Sequence, residues 1–159
     1  MKKVLILGST GSIGQSTLEV IKANNKDFSI SGLVAKSNKK LLLEQANKFN
    51  VKKICLINND SKNDIFVSES EIEDLIFSDQ VDIVVAAISG IAGLKTILSS
   101  IKAGKRILIA NKEPLVAAGQ ILMKEAKKSN SEIIPIDSEH CAIHQCLKNI
   151  KKEDLNRII

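Results

Sequence analysis

The sequence predicts a doubly wound α/β fold: a mostly parallel sheet of about six strands with helices on both faces. Three observations predict it. Short β-branched runs recur along the 159 residues, and longer segments of helical period separate most of them. One run, residues 81–87, is apolar nearly throughout, as expected of a central parallel strand covered on both faces. Strands alternating with helices of this length make βαβ units, and right-handed crossovers then place helices on both faces.

The elements follow in order. Strands are predicted at residues 4–7, 30–34, 53–57, 81–86, 106–109 and 133–136. A helix is predicted over 13–23, and Leu41, Leu42, Gln45, Ala46 and Phe49 trace the face of a second. Two more are expected over 91–103 and 115–127. The first would stop at Gly104, a suitable C′ glycine, and the second follows Pro114, which suits a first helical position. Residues 58–70 are polar and read as a surface connection.

Residues 7–14, Leu-Gly-Ser-Thr-Gly-Ser-Ile-Gly, sit between the first strand and the first helix. A strand that breaks into a glycine turn and then a helix offers bare N–H groups at a helix N-terminus, a ready site for a pyrophosphate. Gly11 and Gly14 fit the second and third glycines of the dinucleotide fingerprint. Ser9 stands where the first belongs, with Gly8 one residue earlier. The expected fold is therefore Rossmann-like.

The second strand ends in Lys36, Ser37 and Asn38, with a cation and two small polar side chains but no acid. An Asp or Glu there would hold the ribose 2′-OH of NAD; its absence favours NADP. The same residues also read as a polar turn, with Ser37 or Asn38 capping the next helix. Two further strands end in the motifs Ile88-Ser89-Gly90-Ile91-Ala92-Gly93 and Ala110-Asn111-Lys112-Glu113-Pro114. In an open parallel sheet these loops line the same crevice as Gly11. Past the last strand, Asp137 and Glu139 lie two residues apart, so their side chains can point the same way. Converging carboxylates suit Mg²⁺ or Mn²⁺. The alternative is an acidic helix start with Asp137 or Ser138 as N-cap. His140 and His144 lack the glutamate of His-Glu-x-x-His and read as surface or packing residues.

Composition bounds the rest. The chain is 44% hydrophobic and 26% charged, one domain of ordinary size, with a core built from aliphatic residues because it has no Trp or Tyr. Its formal charge of +5 comes from lysines scattered along the chain without interleaved aromatics, which predicts a solvated surface and no nucleic-acid patch. Cys55, Cys141 and Cys146 are odd in number and lack Cys-x-x-Cys spacing, which argues against a disulfide framework or structural zinc. Cys55 is expected in the core. No transmembrane stretch is expected, and a glycine motif beginning at residue 8 predicts no leader peptide and a cytoplasmic setting.

Together, residues 8–14, 86–94, 110–113 (Ala-Asn-Lys-Glu) and 137–140 (Asp-Ser-Glu-His) closely resemble the 1-deoxy-D-xylulose 5-phosphate reductoisomerase family, from residue 3 to about 148. The resemblance implies an NADPH- and metal-dependent enzyme of non-mevalonate isoprenoid biosynthesis. Such an enzyme rearranges 1-deoxy-D-xylulose 5-phosphate and reduces it to 2-C-methyl-D-erythritol 4-phosphate. It implies that Thr10, Gly11, Ser12 and Ile13 cradle the NADPH phosphates and that Lys36, Ser37 and Asn38 face the 2′-phosphate. Asn111 and Glu113 would contact the cofactor, Lys112, Ser138 and Glu139 the substrate, and Asp137 and Glu139 the metal; Lys112 and Glu139 would be catalytic. Pro114 stands where the family usually has Ser, Cys141 and His144 replace Asn and Phe, and Lys36-Ser37 shifts a glycine–lysine pattern.

Because family members are longer, residues 1–148 are expected to form the NADPH-binding domain and 149–159 to begin the connection to a catalytic domain. The chain alone is expected to bind NADPH without turnover, and the full-length protein to be a homodimer. Two other classes fit the residues less well. A non-catalytic NADP-binding sensor or docking module has no need of Asp137 and Glu139, and a semialdehyde-dehydrogenase-like enzyme would need a cysteine in a substrate domain.

Overall fold

The computed structural model describes residues 1–57 and 66–157. Six parallel strands form one sheet: β1 (Lys2–Leu7), β2 (Phe28–Ala35), β3 (Ile54–Leu56), β4 (Ile83–Ala86), β5 (Arg106–Ile109) and β6 (Glu132–Pro135). Their spatial order is β3-β2-β1-β4-β5-β6, the doubly wound arrangement whose switch point lies between β1 and β4.

The helices are α1 (Ser12–Ala23), α2 (Lys39–Phe49), α3 (Glu69–Phe77), α4 (Leu94–Lys102), α5 (Glu113–Ser129) and α6 (Ser138–Leu147). Side-chain alternation along β1 divides them between the faces. Val4 and Ile6 pack with Leu18 and Ile21 of α1 and Leu42 and Ala46 of α2. Leu5 and Leu7 pack with Ile72, Leu75 and Ile76 of α3 on the other side. On that same side Ile107 and Ile109 meet Ile97 and Ile101 of α4 and Leu122 of α5. Both faces of β1 are therefore buried, as a central strand requires.

Several local readings change. The segment expected as a helix over 91–103 opens with a 3₁₀ turn, Gly90–Gly93, before α4 begins. Gly104 does end α4 at φ +68°, with Gly104 N–H on Ile101 O and Lys105 N–H on Ser100 O, the paired bonds of a Schellman motif. Pro114 is the second residue of α5, not the first, because Glu113 is already helical; a proline is still tolerated where N–H groups have no intrahelical partner. The helix expected over 115–127 is interrupted at Ala118 (φ −141°, ψ 20°), beside Gly119.

The polar stretch read as a surface connection over 58–70 ends differently. Residues 58–65 lie outside the described residues, but Ser68 starts α3 through a capping box with Glu71. Cys55 is buried as expected, and burial pushes its thiol up to about 11, so it is an inert core group. All three cysteines are free. No described helix is long and apolar enough to cross a membrane.

Asp82, just before β4, accepts the Lys3 N–H at 2.8 Å and fastens the start of β1 to β4. That bond holds its carboxyl below the ordinary value, aided by nearby lysines. A folded-state pKa that is depressed contributes stability above the unfolded value and loses it as pH falls through the folded one. Asp82→Asn is therefore expected to melt below the unmodified chain at pH 7, with the gap closing below about pH 4. A gap of constant size down to pH 2 in thermal melts would contradict this role.

Candidate functional site

Parallel strands put all their C-terminal ends on one rim. Leu7, Ala86, Ile109 and Pro135 stand in one register row, with Val34 beside Leu7. Every loop that carries a motif leaves from this row. From β1 to β6 the rim spans three strand spacings, about 14 Å.

The glycine loop is built by exclusion. Gly8 has φ +88°, and a Cβ there would lie 2.4 Å from Ala87 O, so the β1 and β4 loops touch backbone to backbone. A Cβ on Gly14 would lie 2.3 Å from Gly8 O, so α1 rests directly on the loop. Gly8 thus takes the tight-turn role, and Ser9, which the fingerprint placed there, turns its side chain fully inside. Gly11 is the N-cap of α1 and supplies no side-chain cap, while its carbonyl accepts the first helical bond from Gln15. The N–H groups of Ser12, Ile13 and Gly14 consequently have no intrahelical partner. Ser12 and Ile13 are exposed and Thr10 is half-buried. The loop is a bare donor cluster at the positive end of a helix, suited to an anion.

At the end of β2, Lys36, Ser37 and Asn38 are all exposed. Of the two candidate caps, Asn38 is the N-cap of α2: its Oδ1 accepts the Leu41 N–H at 3.1 Å. Capping leaves its amide nitrogen and the Lys36 and Ser37 side chains facing outward. No carboxylate belongs to this turn.

After β5, Asn111 is half-buried and donates from Nδ2 to Ile88 O at 2.9 Å and Gly90 O at 3.1 Å. It ties the β5 loop to the β4 loop across the rim. Its Oδ1 is buried without a partner among the described residues. Lys112 and Glu113 beside it are exposed, at the start of α5.

The Asp137–Glu139 pair differs from its expectation. The two residues do not share the face of an extended strand, because α6 begins at Ser138 with Asp137 as its N-cap residue. Asp137 makes no cap bond either; its Oδ2 lies 2.8 Å from His140 Nδ1. Its Oδ1 is buried and unpartnered, whereas Ser138 and Glu139 are exposed. An unpaired carboxylate oxygen suits a hard cation. Among the described residues, however, no three His, Cys, Asp or Glu side chains converge as a metal site.

Two contributors escaped the sequence reading. His140, read as surface or packing, orients Asp137; its i, i+3 spacing to Asp137 at a helix start was the available signal. Gln45, placed correctly on the face of α2, is buried and donates to Ser9 O at 2.9 Å. No spacing pattern announces that bond.

Known proteins resemble the chain in sequence and in fold. The family model described as 1-deoxy-D-xylulose 5-phosphate reductoisomerase matches residues 4–119. A protein of that name from Thermoanaerobacter sp. (strain X514) is 43% identical over 169 residues, covering 100% of this chain and 44% of its own length. The chain therefore spans less than half of the curated relatives it matches. A solved reductoisomerase from Zymomonas mobilis in complex with NADPH superposes with a TM-score of 0.83 at 34% identity, covering 91% of this chain and 41% of that one. Another, in complex with NADPH, fosmidomycin and magnesium, gives a TM-score of 0.85 at 40% identity, covering 92% and 39%. Similarity in sequence and in shape thus points to one group of proteins, and the chain belongs to the 1-deoxy-D-xylulose 5-phosphate reductoisomerase family.

Proposed function

We propose that this chain is the NADPH-binding part of a 1-deoxy-D-xylulose 5-phosphate reductoisomerase, and that alone it binds NADPH without turnover. One observation carries the reading: loops 8–14, 36–38, 86–94, 110–113 and 136–140 leave from one row of strand ends around the β1/β4 switch point.

In this reading the N–H groups after Gly11, together with Thr10, Ser12 and Ile13, hold the pyrophosphate. Lys36, Ser37 and the Asn38 amide nitrogen face the 2′-phosphate. Asn111 uses its Nδ2 to brace the β4 loop, so only its unpaired Oδ1 remains to accept an N–H from the cofactor, with Glu113 beside it. Lys112 and Ser138 bind the sugar phosphate, and Glu139 contacts both substrate and metal. Lys112 and Glu139 are the residues assigned to catalysis. Asp137 offers Oδ1 to the cation, with Oδ2 held by His140. When bound, NADPH supplies hydride and Mg²⁺ or Mn²⁺ polarises the substrate's oxygens.

Residues 1–148 are then the cofactor-binding unit, and 149–159 lead toward the catalytic part of a protein the length of its relatives. That longer protein is proposed to be a cytoplasmic homodimer. What supports the proposed absence of turnover is that the chain covers 44% of the length of its relative.

Calorimetric titration of this chain with NADPH and NADH, and an assay with 1-deoxy-D-xylulose 5-phosphate and Mg²⁺, test the proposal. The expected result is NADPH binding preferred over NADH, with no substrate-dependent NADPH oxidation. Failure to bind NADPH would remove the cofactor reading. Oxidation at the rate of a full-length relative would remove the claim that the chain is catalytically incomplete.

A further inference from the structure

We propose that Gln45 is a positioning residue for the cofactor: it fixes the spacing between the glycine loop and the turn 36–38, so that one NADPH meets both. The inference rests on the NADPH reading above.

Gln45 is 5% exposed, on the face of α2 that packs toward α1 and the sheet. It lies at the base of a groove of about 580 Å³ between those helices, lined also by Gln15, Leu41 and Phe49. A buried amide is costly unless it is hydrogen-bonded. Its Nε2 has one use, the bond to Ser9 O, and its Oε1 has no partner among the described residues. An unpaired buried acceptor costs about 1–3 kcal/mol. An apolar side chain, like neighbouring Leu42 and Ala46, would fill the position but would take the donor away from the Ser9 carbonyl. What a glutamine adds here is therefore a tether from α2 to the glycine loop.

Ser9 lies in the middle of the glycine loop. Its N–H and that of Gly8 both donate to Val34 O, at 2.9 and 2.8 Å, which anchors the loop to β2. Gln45 adds a second anchor, from α2. The same helix begins at Asn38, whose side chain caps it. Seven residues of helix, about 10 Å, separate that cap from Gln45. The helix acts as a strut: one end sets the 2′-phosphate turn, and two turns further along it holds the carbonyl of the pyrophosphate loop.

Gln45→Met keeps the volume and removes the donor. The test compares it with the unmodified chain for NADPH and for adenosine 2′-monophosphate, a probe that reaches the turn but not the glycine loop. NADPH affinity is expected to fall about tenfold, equivalent to about 1.4 kcal/mol, while adenosine 2′-monophosphate binds as before. Unchanged NADPH affinity overturns the proposal. So does an equal loss for both ligands, which marks a loosened fold and not a displaced loop. A second measurement needs no variant: the side-chain amide protons of Gln45 in the unmodified chain are expected to shift in NMR spectra on NADPH addition but not with adenosine 2′-monophosphate. Signals that respond to neither ligand overturn the proposal as well. If the unmodified chain binds no NADPH, the cofactor reading itself fails, and that result is in hand before any variant is compared.

Discussion

Gly8→Ala is expected to destabilise the fold by about 3 kcal/mol and to abolish NADPH binding. Two effects add. The left-handed φ of +88° costs an L-residue about 1–2 kcal/mol. The new Cβ, 2.4 Å from Ala87 O and 2.7 Å from its carbonyl carbon, meets backbone that cannot rotate aside, and overpacking of that kind costs about 1–3 kcal/mol. For a chain of this size the melting temperature should drop by about 10 °C. Binding fails for a related reason: relieving the clash parts the β1 and β4 loops at the switch point where the pyrophosphate is proposed to sit. Gly119→Ala is the control, since a Cβ there meets nothing within 4 Å and the backbone is not at positive φ. It should leave both properties unchanged or raise stability slightly. Equal melting temperatures for Gly8→Ala and the unmodified chain would show that the loops can separate freely.

Lys36→Glu is expected to cut NADPH affinity about thirtyfold at low salt while changing NADH affinity by less than about threefold. Unit charges about 4 Å apart interact by about 1–4 kcal/mol between bulk water and a protein surface. Reversing the sign of one charge facing a 2′-phosphate therefore reaches about 2 kcal/mol even when well solvated. NADH lacks that phosphate, so the ratio of the two affinities reports on the turn alone. Lys36 is exposed, and the effect should shrink as salt rises toward 1 M. Equal losses for the two cofactors would move the 2′-phosphate away from this turn.

The sheet was legible because its strands are dense in Ile, Val and Leu and because helical spacing resumes after each. Strand ends shifted by one or two residues, as where 53–57 shortened to Ile54–Leu56. α3 was missed although Ser68 and Glu71 carry a capping-box spacing, because Glu69, Glu71, Glu73 and Asp74 blur the apolar stripe of Ile72, Leu75 and Ile76. The positions of Gly11, Asn38 and Asn111 just past the strand ends were readable from the sequence. What each side chain does there was less so. Asn111 braces the β4 loop, Asn38 caps a helix, and Asp137 turns to His140. Those bonds join residues through folded geometry, and Gln45 reaches Ser9 across 36 positions.

The central place of β1 bears on how the chain acquires its fold as it is made. β1 is made before the other five strands of the sheet, yet its partner on one side, β4, follows about half a chain later, and Lys3 meets Asp82 across 79 positions. Closing a loop of that length costs about 4 kcal/mol of chain entropy before the pairing returns anything. Until residues 83–86 emerge, β1 can pair only with β2, and its other edge has no strand partner. The apolar half of β1, Val4–Leu7, therefore waits with one strand edge unpaired while the chain grows, and such an unpaired edge is where early aggregation would begin.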